Sequence, residues 1–360
     1  MRLGTCLALE IAVACGAIGG VWFGVERAGE LAGDYFTTRE AAASTVTPLG
    51  PERPLLALPR AQLVAADAPR EDATVFGAPD AELLAPINAA KVTRVKLNHG
   101  GISLSLRVDF ANGARAAFKP EQTWPQSDPR KEIAAYRIDR LLGIGHVPPA
   151  KPIAVPLEDV FAAADPGMRG MVIKRVSEEG VAHKGVLRGE ASWWIPEIAL
   201  AKLGTARVDE AEGRALWTQY LQADARVPAK WRAMLAQIAT CVLFDQLIDN
   251  ADRWSGNNTE MSPDGSTLYF MDNSMSFSTH EHVITSGALH RVQRFPRALI
   301  GRMRGLTREA VVAALGDGEL LGPLLQDAEI DAILARRDGI IEYVDHLIAK
   351  YGEDEVLAFP

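Results

Sequence analysis

CVLFDQLIDNADRWSGNNTEMSPDGSTLYFMDNSMSF, running from Cys241 to Phe277, is the stretch on which the reading of this chain turns. Apolar residues at helical spacing (Met234, Leu235, Ile238, Val242, Leu243) end at Ile248, and the polar loop Asp249-Asn250-Ala251-Asp252-Arg253-Trp254-Ser255-Gly256-Asn257 follows. A turn at Ser262-Pro263-Asp264-Gly265 leads into the strand-like Thr267-Leu268-Tyr269-Phe270-Met271, with Asp272-Asn273 at its end. A hairpin between them lets two acids and an amide converge on one point. Such a set can hold a metal-bound phosphate chain beside a hydroxyl that must lose its proton.

The spacing Asp252-x-x-x-x-Asn257 matches a phosphoryl-transfer catalytic loop, in which the Asp accepts the proton and the Asn coordinates metal. Asp272, after an apolar strand, stands where a metal-holding Asp would follow. The competing reading is an ordinary loop with Asx turns, since Asp and Asn readily bond their own backbone.

Working upstream, Val92–Leu97, Ile102–Phe110 and Ala116–Phe118 alternate apolar and polar, which predicts three antiparallel strands. Asn98-His99-Gly100-Gly101 and Ala111-Asn112-Gly113 supply the turns. The amides of Gly100 and Gly101 can either cover phosphates or form a plain hairpin turn. The third strand ends in Phe118-Lys119-Pro120, placing a Lys where it can meet a phosphate if an acid fixes it. A helix follows, with Asp128 as N-cap, Pro129 in its first turn and Gly143 at its exit. Glu132 in its first turn either complements the helix dipole or pairs with Lys119.

Met171–Val176 is expected to be a buried strand. Arg188–Ile198, with Trp193 and Trp194, reads as a connector that either lines a purine pocket or packs into the core. Helices are expected from Pro228 and near 308–315 and 327–351, with an amphipathic segment at Leu289–Leu306. Strands followed by helices indicate an α+β fold of two lobes around a cleft. His280-x-His282 reads as solvated loop. No P-loop, nucleophile-elbow or zincin motif occurs.

At 360 residues, 48% hydrophobic and 23% charged, the chain can bury a sizeable core. A net charge of −8, with no basic run, excludes non-specific nucleic-acid binding. Arg2 and the apolar run Leu3–Val25, broken by Glu10, read as a signal peptide or an N-terminal membrane anchor over 1–28, against a buried soluble helix. Residues 29–88, rich in Ala and Pro, read as a tether. The lobes are then expected at 89–190, and at 191–360 together with the connector. Outside the leader only Cys241 remains, so the mature chain can form no internal disulfide.

Five blocks, in order, resemble the secretory-pathway atypical kinases of the four-jointed and Golgi casein kinase group: the glycine-containing strand pair with Phe118-Lys119-Pro120; Glu132 through Gly143 with Val147-Pro148-Pro149; Gly189 through Glu197; Phe244 through Arg253; and Phe270-Met271-Asp272-Asn273. More distantly, the Asn-x-Asp-Arg loop is similar to that of HipA-like and lipid kinases. The resemblance implies a two-lobed kinase fold using ATP with Mn2+ or Mg2+. Lys119 would hold the ATP phosphates, Glu132 would sit beside it and reach the metal, and Ser192, Trp193, Trp194 and Ile195 would pass the adenine. Asp252 would be the catalytic base, Asn257 would touch phosphate or metal, and Asp272 would ligate the metal. The acceptor would be a hydroxyl of an exported protein (Ser or Thr) or of a glycan. Pro120-Glu121-Gln122 lacks the second Lys that active relatives carry, so the alternative is an exported pseudokinase that binds or activates a partner.

Overall fold

Alternation does produce a sheet where the sequence shows it. The computed structural model describes residues 74–98, 102–254, 258–316 and 320–360, all within the unit Ala66–Pro360. A short helix α1 (Asp80–Leu84) precedes strands β1 (Val92–Leu97), β2 (Leu106–Phe110) and β3 (Arg115–Pro120). Helix α2 (Pro129–Leu141), β4 (Ala150–Pro156), α3 (Leu157–Ala162) and α4 (Arg169–Glu179) follow, then β5 (Ala182–His183) and β6 (Val186–Trp193). The strands form an antiparallel sheet in the order β1-β2-β3-β6-β4, with β5 paired to β6.

Successive side chains of a strand face opposite ways. Val108, Ala116, Phe118 and Leu187 therefore pack with Val160, Val172 and Val176 of α3 and α4 in one core. Lys119 and its cross-strand neighbour Glu190 project from the opposite face, toward α2.

The second lobe begins with the short strands β7 (Ala199–Leu200), β8 (Lys202–Leu203) and β9 (Ala206–Arg207), then α5 (Ala211–Tyr220) and α6 (Arg232–Ile248). Strands β10 (Glu260–Met261) and β11 (Leu268–Tyr269) form the expected hairpin, and β7 adds to it. Helices α7 (Val283–Leu289), α8 (Arg297–Arg304), α9 (Arg308–Leu315), α10 (Asp327–Tyr351) and α11 (Glu353–Val356) complete the chain. Their apolar faces, with those of α2 and α6, make the larger core around Ile138, Phe244, Ile300 and Ile340. Cys241 is buried there. The α+β architecture read from the sequence is the one observed.

Several boundaries need correction. Met171–Val176 is not a strand but lies inside α4: Val172 and Val176, four residues apart, make one helical face against the sheet. A short apolar run fits either element, and here the sheet already had its strands. Strand β2 begins at Leu106 rather than Ile102. Before it, the Gln122 side chain replaces the ladder, accepting from the Leu104 N–H at 2.7 Å and donating to the Leu104 carbonyl at 3.0 Å. Strand β6 runs through the expected lobe boundary at 190/191, to Trp193. Residues 74–88, expected to be tether, carry α1 and the buried Phe76 and Ile87. The amphipathic segment Leu289–Leu306 contains the end of α7 and all of α8, separated at Pro296. The leader, Gly100, Gly101 and Asn257 lie outside the described residues. Among those described, no helix is long and apolar enough to cross a membrane.

Candidate active site

Lys119 reaches its position because β3 pairs with β6 and turns odd-numbered side chains into the cleft. Its Nζ lies 2.5 Å from Glu132 Oε1 and 2.7 Å from Asp272 Oδ1. Glu132 is delivered by the first turn of α2, where the Asp128 side chain caps the helix by accepting from the Arg130 N–H at 3.0 Å. Its other oxygen, Oε2, accepts from the Asn273 N–H at 2.9 Å. One carboxylate thus ties the sheet's Lys to the segment after β11. Dipole complementation at the helix N-terminus is compatible with this role but does not account for it.

Burial alone would lower the Lys119 pKa, but the charges of Asp272 and Glu132 outweigh it and raise it, so the ammonium stays protonated. Lys119 in turn holds the Asp272 carboxyl below its usual range. Asp272 is the outward-facing member of the three, its side chain 44% exposed against 8% for Glu132. Glu190 is a fourth member that the residue-by-residue reading passed over. It is buried beside Lys119, and burial followed by the Glu132 charge pushes its pKa up to about 8, against the opposing pull of its hydrogen bond from Ser192. An acid alternating within an apolar strand opposite a Lys was the available signal.

The loop after α6 is built around two local devices. Asp249 takes a left-handed conformation (φ 57°) that ends the helix, and its buried carboxylate accepts from the His282 N–H at 3.1 Å and the Thr285 hydroxyl at 2.8 Å. His282 Nδ1 lies 2.6 Å from the second oxygen, so this His is anchored to the loop rather than merely solvated. Arg253 is fully buried. It binds Asp245 at 3.2 and 3.3 Å, Asn273 Oδ1 at 2.7 Å, the Asn258 carbonyl at 3.3 Å and the Met271 carbonyl. Asn250 donates to the Asp272 carbonyl at 3.1 Å and to Asn273 Oδ1 at 3.0 Å, while its own Oδ1 accepts from the Asp252 N–H at 3.2 Å. Loop and strand end are therefore stitched together by Arg253 and Asn250. Asp252 Oδ2 accepts from Asn258 Nδ2 at 2.6 Å.

The structure brings Lys119, Glu132 and Asp272 into direct contact and hangs the Asp252 loop on the same strand end. The four connector residues divide. Ser192 shares the Lys119 face and bonds Glu190. Trp193 alternates to the far face, its ring edge-on to Phe76 at 5.8 Å. The Trp194 ring is covered by the Arg107 and Arg115 guanidiniums at 5.6 and 5.8 Å, and Ile195 is buried with Phe76 and Tyr269. Trp193 and Ile195 thus pack against Phe76, the packing alternative read for this connector.

No group of three or more His, Cys, Asp and Glu able to hold a metal by itself occurs among the described residues. The donors at the cleft are carboxylate oxygens, outnumbering the single ammonium. Hard divalent cations of the Mg2+ or Mn2+ kind take one or two such carboxylates and complete their shell with phosphate oxygens and water. The residues present fit a nucleotide-borne metal and not a freestanding one.

No family model matches the chain. It is 22% identical over 325 residues to the human extracellular serine/threonine protein kinase FAM20C, covering 76% of this chain and 55% of that protein. It is 24% identical over 307 residues to human glycosaminoglycan xylosylkinase, covering 74% and 75%. Among solved structures it superposes on the Golgi casein kinase with a TM-score of 0.62 at 16% identity, covering 77% of each chain. The chain has the fold of the Golgi casein kinase. A second structure of that kinase, with Mn and ADP bound, gives a TM-score of 0.59 over 77% of this chain and 78% of its own. Hydra Fam20 with sugar gives 0.59, covering 76% of this chain and 90% of its own. This chain spans about half the length of FAM20C. Cys241, its one cysteine among the described residues, is free. Where a second Lys would follow Lys119, Gln122 braces the Leu104 backbone and Glu121 pairs with Arg188 at 3.0 Å.

Proposed function

We propose that the chain is an exported kinase that transfers the γ-phosphoryl group of ATP, with Mn2+ or Mg2+, to a hydroxyl of a protein (Ser or Thr) or a glycan. The observation that carries this reading is Lys119 held between Glu132 and Asp272, at 2.5 and 2.7 Å, beside the Asp252 loop. Lys119 binds phosphate oxygens, and Glu132 keeps it aimed. Asp272 and Glu132 would hold the metal, which would supply neutralisation of phosphate charge. Asp252, fixed by Asn250 and Asn258, orients the acceptor hydroxyl. As the new O–P bond forms and the bond to the β-phosphate bridging oxygen breaks, the hydroxyl proton passes to the Asp252 carboxylate. Such a transition state asks mainly for positioning and charge neutralisation.

Both acceptor classes stand because the two human relatives are named for one each, a serine/threonine protein kinase and a glycosaminoglycan xylosylkinase. The name of the first, extracellular, supports export; the leader read over 1–28 would supply the signal or anchor. Transfer of label from radiolabelled ATP to protein and glycan mixtures, with and without Mn2+, tests the reading. Label on neither, despite Mn2+-dependent ADP binding, would favour the pseudokinase, which the engagement of Gln122 in backbone bracing also suits.

A further inference from the structure

The residues just upstream of the sheet do something that a tether would not. Phe76 is buried and lies between the end of β6 in the first lobe and β11 in the second. Its ring meets Trp193, the last residue of β6, edge-on at 5.8 Å and stacks on Tyr269 of β11 at 5.8 Å. With Ile195, and with Val75, Leu83 and Met271 packed against it, this makes a third apolar cluster, which meets the sheet's core through Trp193. Tyr269 and Met271 are the last odd-numbered residues before Asp272, so what fixes them fixes the strand end that presents the carboxylate.

Polar contacts lock the same piece down. The Val75 N–H donates to the Gly145 carbonyl at 3.3 Å, on the turn whose His146 takes the Phe270 N–H at 3.1 Å and places Nδ1 2.6 Å from the Leu268 carbonyl. Asp80 of α1 accepts from Arg140 Nε at 2.6 Å and from the Tyr136 hydroxyl at 3.0 Å, both on α2, the helix that carries Glu132. The segment 74–84 therefore touches β6, β11 just ahead of Asp272, and α2 with its Glu132.

We infer that residues 74–84 are a brace of the catalytic module, and that Phe76 is a positioning residue holding the Lys119–Glu132 half of the cleft in register with Asp272. The inference rests on the kinase reading only for its ligand, Mn2+ with ADP. Without the brace, the binding-competent arrangement is one of several, and apparent affinity falls by the fraction of time it is populated.

The test uses the full chain with Phe76→Ala, Phe76→Tyr and Asp80→Asn. Hydrogen exchange is read without nucleotide, and Mn2+·ADP binding by calorimetry. Phe76→Ala should speed exchange about ten-fold over 190–195 and 268–273, leave α10 protected, and weaken Mn2+·ADP about ten-fold; Phe76→Tyr should restore both. Unchanged exchange in those two segments would overturn the brace. So would a rise spread equally over α10, which is mere loss of global stability. Should Phe76→Ala not fold, Asp80→Asn carries the same comparison with a smaller effect. Should the unaltered chain bind no Mn2+·ADP while the local exchange pattern appears, the nucleotide reading fails and the brace stands.

Discussion

Arg253 holds the catalytic loop to the end of β11 by charge and hydrogen bonds rather than by packing alone. Replacing it with Met keeps the length and most of the apolar stem but deletes a fully buried guanidinium. Asp245 then loses its partner at 3.2 and 3.3 Å, and Asn273 Oδ1 loses a donor at 2.7 Å. Breaking one side of a buried pair costs about 3–5 kcal/mol, because the remaining charge stays uncompensated. Against a total stability of about 5–15 kcal/mol, that is a large fraction. The pH dependence gives the sharper signature. Burial pushes Asp245 up to about 6, and Arg253 is the neighbour pulling it down. A folded-state pKa above the unfolded one means that stability is fully present below the unfolded value and is lost as pH rises through the folded value. In Arg253→Met the Asp245 pKa climbs further, so stability goes on falling where the parent chain has levelled off. The penalty measured by urea denaturation should therefore be smaller near about pH 5 than near about pH 8. Replacing Asp245 as well, by Leu, should recover part of it. A penalty below about 1 kcal/mol, or one equal at both pH values, would refute the account.

Asp252→Ala should abolish label transfer while leaving Mn2+·ADP affinity within about a few-fold, whereas Asp272→Ala should remove metal-dependent nucleotide binding; equal turnover in Asp252→Ala and the parent sinks the base assignment. Gly189→Ala should cost about 1–3 kcal/mol by thermal melt and weaken Mn2+·ADP, because a Cβ there would sit 2.2 Å from the Lys119 carbonyl and 2.6 Å from Pro120 Cα, forcing β6 off β3. At Asp249, Ala should destabilise by about 1 kcal/mol more than Gly, since both lose the His282 and Thr285 bonds but only Ala keeps a Cβ in the left-handed region.

Elements marked by local chemistry were legible. Helix α2 runs from Pro129, behind its Asp128 cap, and the left-handed Gly143 lies just past its end, because capping residues act on the turns beside them. The bounds of α9 and α10 match the apolar periodicity for the same reason. Elements decided across the fold were not. Ile102 looks like the start of a strand, but Gln122, from beyond β3, takes both backbone groups of Leu104 and leaves Ile102 77% exposed. No pattern within 102–110 announces a side chain arriving from residue 122. Phe76 was lost in the same way. One aromatic among Ala, Pro and Thr reads as linker until Trp193 and Tyr269 are brought to either side of it.

The site divides along the same line, and Glu132 shows why. A Glu in the first turn of a helix is favoured by the dipole whatever its surroundings. Its presence therefore carries little information about a partner, and the local reading was a sufficient explanation of it. What the local reading cannot produce is the pairing of one oxygen with Lys119 and the other with the Asn273 N–H, which requires β3, α2 and the end of β11 to meet. Glu190 is the complementary case. No local rule favours a carboxyl buried in the middle of a strand, and its pKa near 8 marks it as costly to ionise there. An acid that its own element does not want, facing a Lys across the ladder, is the stronger pointer of the two to a site that the whole fold assembles.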